Sequence, residues 1–265
     1  MTIGRHKYNS MNDTYFLSFL AGTSGRFIST IIWELANNLE KEIPYSMYNS
    51  AHVETFCVDS WVFNQPDPTG NHDCYKLIEF DRSKARDNPN QIALFFSHIY
   101  PDFDTIFARF SESKLVLILA DESDYMEIGG NYLFKNAIEQ SAFNITPHRI
   151  WKIYKSLYGK DCTTETKFTE KEIYEMLQIY SENMHLMFEG SKFIEQTIPE
   201  QYLDKTLIIS YRDIYKKNNE GKYIVYEQLK TLTNSIGNDI IEKNYEKYVL
   251  GRNKFLDTYL PWIKK

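Results

Sequence analysis

Residues 22–27 read Gly22-Thr23-Ser24-Gly25-Arg26-Phe27, a stretch whose residue types suit one kind of chemistry. Two glycines three positions apart let a backbone approach an anion closely. The hydroxyls of Thr23, Ser24 and Ser29 are donors, and Arg26 brings a positive charge. If the turn opens a helix, the first N–H groups and the positive end of the helix dipole add to these, and phosphate binding follows. The GK[ST] ending of a Walker A loop is missing, and a tight strand-to-helix reversal without a ligand explains the glycines equally well.

Other candidates are thinner. His98 stands in Ser97-His98-Ile99-Tyr100-Pro101, at the carboxyl end of an apolar run, where open α/β sheets bind ligands. His6, His52, His72, His148 and His185 lack metal-ligand spacing and read as surface or satisfied core residues. Cys57, Cys74 and Cys162 are odd in number and scattered, so neither a disulfide framework nor a zinc site is expected, and a reducing, cytoplasmic compartment fits. Tyr245, Tyr248, Phe255, Tyr259 and Trp262 are expected to pack a C-terminal helix onto the core.

These residues need elements to hold them. Tyr15–Leu20 is an apolar run that stops at the glycines, and Ile28, Ile31, Ile32, Leu35 and Leu39 then recur at helical spacing, giving strand, turn and helix. Further strands are expected at Tyr75–Phe80, Ile92–Ser97, Lys114–Ala120 and Thr206–Tyr211; their near-continuous apolar character suits a sheet buried on both faces. Thr146-Pro147 and the capping box Thr169-Glu-Lys-Glu172 open helices, and two more are expected around Val225–Leu232 and Ile240–Leu250. Strands alternating with helices imply an α/β fold of three layers, α/β/α and P-loop-like, with a largely parallel central sheet and a helical C-terminal region, residues 1–265 forming one domain.

The order of these segments resembles the sulfotransferases that use 3′-phosphoadenosine 5′-phosphosulfate, PAPS. In that family a first strand leads into P-K-S-G-T-T, the loop for the 5′-phosphosulfate, where this chain has Thr23-Ser24-Gly25-Arg26-Phe27. A later strand ends in T-H-L-P, with the histidine as catalytic base, and Ser97-His98-Ile99-Tyr100-Pro101 is similar with one extra residue. The family's apolar strand ending in R-N-x-x-D resembles Lys114–Ala120, and F-Y-E-D resembles Ser210-Tyr211-Arg212-Asp213, whose tyrosine lies near the adenine.

The resemblance implies that Gly22, Thr23, Ser24, Gly25, Arg26, Phe27, Tyr211 and Arg252 bind PAPS, with His98 and Arg26 catalytic, and that a small-molecule or glycan acceptor is sulfated at a hydroxyl or amine. It extends over roughly residues 15–250. The chain departs from the family where Thr23 replaces the loop lysine, Asp121 the arginine for the 3′-phosphate and Gly129 the matching serine; Gly251-Arg252-Asn253-Lys254 stands for the family's R-K-G segment.

Two other readings stay open. Asp121 after an apolar strand resembles a Walker B carboxylate, as in a P-loop nucleotide or small-molecule kinase, and a degenerate P-loop domain could serve as a binding protein without catalysis. Composition separates broader classes: 43% hydrophobic and 25% charged residues suit a globular chain, and a net charge of −6 gives no general attraction to nucleic acid. No apolar stretch reaches the ~18–20 residues of a membrane span, so no membrane partner is expected. The richness in Asn, Ile, Lys and Tyr suggests an AT-rich genome, viral or bacterial.

Overall fold

The computed structural model describes residues 14–20, 22–36, 38, 56–58, 93–97, 100–135, 147–163, 166–184, 192–195 and 198–262. Its strands are β1 (Thr14–Phe19), β2 (Phe56–Val58), β3 (Ala93–Ser97), β4 (Lys114–Leu119) and β5 (Thr206–Ser210). The described strands form one five-stranded sheet in the order β2-β3-β1-β4-β5. Every pairing is parallel; Leu17 faces Phe96 on one side and Val116 on the other. All five carboxyl ends therefore lie along one edge.

β1 is buried along its whole length and β4 in all but its first residue, which requires cover on both faces of the sheet. Part of that cover is α1 (Gly25–Ala36), whose Phe27, Ile28, Ile31, Ile32 and Leu35 are buried at the spacing the sequence predicts. It packs against α7 (Ile224–Thr233) and α8 (Asp239–Tyr259). Between these lie α2 (Phe103–Arg109), α3 (Tyr125–Gly130), α4 (Pro147–Tyr158), α5 (Glu170–Glu182) and α6 (Lys192–Glu195). α5 packs on both α3 and α4.

Helix starts are chemically marked. Asp102 accepts from the Thr105 N–H at 3.1 Å to open α2, and Asn238 accepts from the Ile240 and Ile241 N–H groups at 3.0 and 2.9 Å to open α8. Thr169 and Glu172 form the expected reciprocal box at α5, the Thr169 N–H donating to Glu172 at 2.7 Å. α3 runs into a π-helical turn at Asn131–Lys135, a form that often accompanies functional sites. The expected strand at Tyr75–Phe80 lies outside the described residues. Among the described residues, no helix is long and apolar enough to cross a membrane.

Candidate functional site

Three chain segments meet at the carboxyl edge beside β1: the turn entering α1, the α3 segment after β4, and the 3₁₀ turn Tyr211–Tyr215 after β5. The first begins at Leu20, whose carbonyl accepts from both the N–H and the hydroxyl of Thr23, at 3.1 and 2.7 Å. Thr23 is completely buried, so its hydroxyl, expected to face an anion, is engaged inside the turn. Ser29 is similar, its hydroxyl donating to the Arg26 carbonyl at 2.7 Å. The Ser24 carbonyl accepts from the Ile28 N–H at 3.0 Å, which places Gly25 and Arg26 in the first turn of α1.

The glycines have reasons inside the protein. Gly22 has φ +97°, and a Cβ there would lie 2.6 Å from the Ile128 carbonyl oxygen, because α3 sits directly on the turn. A Cβ on Gly25 would lie 2.2 Å from carbons of the Phe19 ring. Close approach of the protein's own parts is thus enough to require glycine at both positions.

Ser24 leads outward from the turn into a polar cluster. Its hydroxyl lies 2.6 Å from the Tyr215 hydroxyl and accepts from that of Tyr248 at 2.7 Å. The Tyr248 ring stacks on Phe27 with centroids 3.7 Å apart, fixing α8 against α1. The Arg252 guanidinium, one turn further along α8, lies 3.7 Å from the centroid of the Tyr215 ring. Arg252 is ion-paired with Glu127 of α3, both largely buried. The same Glu127 oxygen accepts from the Tyr211 hydroxyl at 2.5 Å, and the Tyr211 oxygen accepts from Asn131 Nδ2 at 2.8 Å.

Burial dominates the electrostatics. It pushes the Tyr211 and Tyr215 phenols well above the ordinary tyrosine range, with neighbouring tyrosines adding to the effect. Both are hydrogen-bonding neutral groups at physiological pH. On the flank, Arg212 donates to Asp124 at 2.5 Å and to Ser123 at 2.6 Å, tying the turn after β5 to that after β4. The carboxylate of Asp124 pushes the Arg212 guanidinium up. Asp121 is exposed at the end of β4.

The structure therefore brings Gly22, Thr23, Ser24, Gly25, Arg26, Phe27, Tyr211 and Arg252 to one region, with Arg26 half-buried at the start of α1. His98 lies outside the described residues, one position beyond the end of β3. Glu127, Asn131 and Tyr215 belong to the cluster but do not stand out in the sequence. Their available signal was spacing: Glu127 with Asn131 and Tyr211 with Tyr215 are each four apart, just after a strand. Comparison of the chain with family models, curated proteins and solved structures finds no match.

Proposed function

We propose that the protein binds a phosphorylated nucleotide at the turn between β1 and α1 and acts as a divergent sulfotransferase, moving a sulfuryl group from PAPS to a hydroxyl or amine of a small-molecule or glycan acceptor. The observation that carries this is positional. β1 lies inside the parallel sheet, the strand order reverses beside it, and the turn after it opens at that switch point, linked to Arg252 through the Tyr215 ring and to Tyr211 through the Glu127 that pairs with Arg252. A three-layer, P-loop-like architecture and a cytoplasmic site of action are parts of the same proposal.

The donor set fits an anionic nucleotide. The first turn of α1 presents backbone N–H groups, Arg26 and Arg252 supply charge, and Ser24, Tyr211, Tyr215 and Tyr248 supply hydroxyls. When bound, PAPS contributes the transferable sulfuryl group. Arg26 and the turn hold its charged end and favour charge developing on the bridging oxygen, and His98 takes the proton of the acceptor hydroxyl or amine. Tyr211 and Arg252 hold the nucleotide portion.

One observation favours a second, non-catalytic reading: Ser24 and Arg252 already have partners in Tyr215, Tyr248 and Glu127, as in a domain that kept the fold and binds another protein. Thermal unfolding with adenosine 3′,5′-bisphosphate, with ATP and Mg²⁺, and with neither separates the readings. Adenosine bisphosphate at ~100 times its dissociation constant is expected to add about 2.7 kcal/mol of stability. A shift with ATP and Mg²⁺ alone makes the protein a kinase, with Asp121 on the metal; no shift with either favours the binding protein.

A further inference from the structure

Glu127 places a carboxylate on the guanidinium of Arg252, and this arrangement has a second form built into it. A carboxylate only accepts hydrogen bonds, so the Tyr211 hydroxyl must donate to Glu127 and its oxygen receives Asn131 Nδ2. That fixes the Asn131 amide and leaves its Oδ1, buried, without a hydrogen-bond partner among the described residues. An orphaned buried acceptor is costly, and here it lies on the very amide that touches Tyr211. If Glu127 withdraws, the amide can turn and Tyr211 can donate to Oδ1. The phenol is satisfied in both arrangements, so Tyr211 need not hold Glu127 in place.

The backbone under Glu127 departs from a regular α-helix. α3 is short and continues as the π-helical turn that carries Asn131, while Gly129 lies close against Tyr180 of α5, where a Cβ would be 2.8 Å from a ring carbon. This same segment sits on Gly22, so it covers the turn where the nucleotide is proposed to bind. Arg252 is one tyrosine ring away from Ser24.

We infer that Glu127 is an internal competitor for the anion site: it occupies Arg252 in this structure, and a phosphate group of the ligand replaces it, lifting α3 from the turn as Tyr211 passes to Asn131. The inference rests on the proposed nucleotide site and adds its regulation. Exchange of one carboxylate for a singly charged anion gains little at Arg252, whereas a phosphate monoester carries more charge and more acceptor oxygens. The site is therefore selective for multiply charged oxyanions such as a phosphate monoester over chloride or a carboxylate.

The test is titration of wild type and Glu127→Gln with adenosine 3′,5′-bisphosphate and with inorganic pyrophosphate. Glutamine keeps the shape and both accepted hydrogen bonds but removes the charge, so the variant is expected to bind each probe at least tenfold more tightly. If wild type binds and Glu127→Gln binds no tighter, Glu127 is not a competitor and this inference falls alone. If neither protein binds either probe, the proposed nucleotide site falls with it. Hydrogen exchange on the wild type covers a variant that fails to fold: saturating adenosine bisphosphate should speed exchange of the amides at 125–135 while slowing those at the start of α1. Slowed or unchanged exchange at 125–135 overturns the inference.

Discussion

Ser24 combines a left-handed backbone, φ +63°, with a hydroxyl that joins two tyrosines, and substitutions separate the two. Ser24→Ala keeps the strain and removes both bonds, leaving the half-buried Tyr215 hydroxyl without that partner, so urea unfolding should show a loss of about 1–2 kcal/mol. Ser24→Gly loses the same bonds but relieves the backbone, and should be less damaging than alanine by about 1 kcal/mol. Equal losses would mean that the left-handed backbone is not strained. Gly25 makes a different claim, since its neighbour is an aromatic ring. Gly25→Ala should cost about 1–3 kcal/mol by overpacking, and Phe19→Leu in the same chain should recover part of it. Failure of that second change to help would place the strain elsewhere.

At the level of elements, the cap of α5 is the simplest to test. Thr169→Ala removes one half of a reciprocal pair with Glu172 on an exposed helix end, and a loss of about 1 kcal/mol in unfolding free energy is expected, with the α5 amides exchanging faster. This cap was legible because its four residues are contiguous. So were β1, β3, β4 and β5, each within a residue or so of its expected ends, because continuous apolar runs mark strands; burial on both faces holds for β1 and β4, whereas β5, at the end of the described strand order, exposes Ile208 and Ser210. β2 was not: Phe56–Val58 is three residues long, too short for any period to register, and only its pairing with β3 makes it a strand. The turn at Gly22–Phe27 was legible as a strand-to-helix reversal, but not the fact that α3 and Phe19 themselves require its glycines. The Glu127–Arg252 pair was equally hidden, because it joins residues far apart in the chain and side-chain convergence has no sequence period.

For the whole molecule, the buried tyrosines set an alkaline limit. Tyr211, Tyr215 and Tyr245 all lie well above their ordinary value of 10.0, chiefly through burial. The neutral phenols are favoured by folding, so their contribution is fully present below pH 10 and is lost as pH rises beyond it, when the unfolded chain ionises and the folded one does not. Absorbance at 295 nm should therefore show these phenols ionising together with unfolding, as followed by circular dichroism. A smooth titration near pH 10 with the fold intact would contradict their burial.

The position of β1 has a further consequence, in the timing of synthesis. β1 is the first described strand, yet its neighbours are β3 and β4, and the helix that stacks Tyr248 on Phe27 is α8. A ribosome therefore delivers the turn near residue 22 well before its partner Arg252. Until Asp239–Tyr259 emerges, Phe27 and part of the α1 surface lack their cover, and the nascent chain presents an apolar face for chaperones. A chain halted before Asp239 lacks Tyr248 and Arg252 and cannot complete the site, so the proposed anion site matures only once Asp239–Tyr259 has been made.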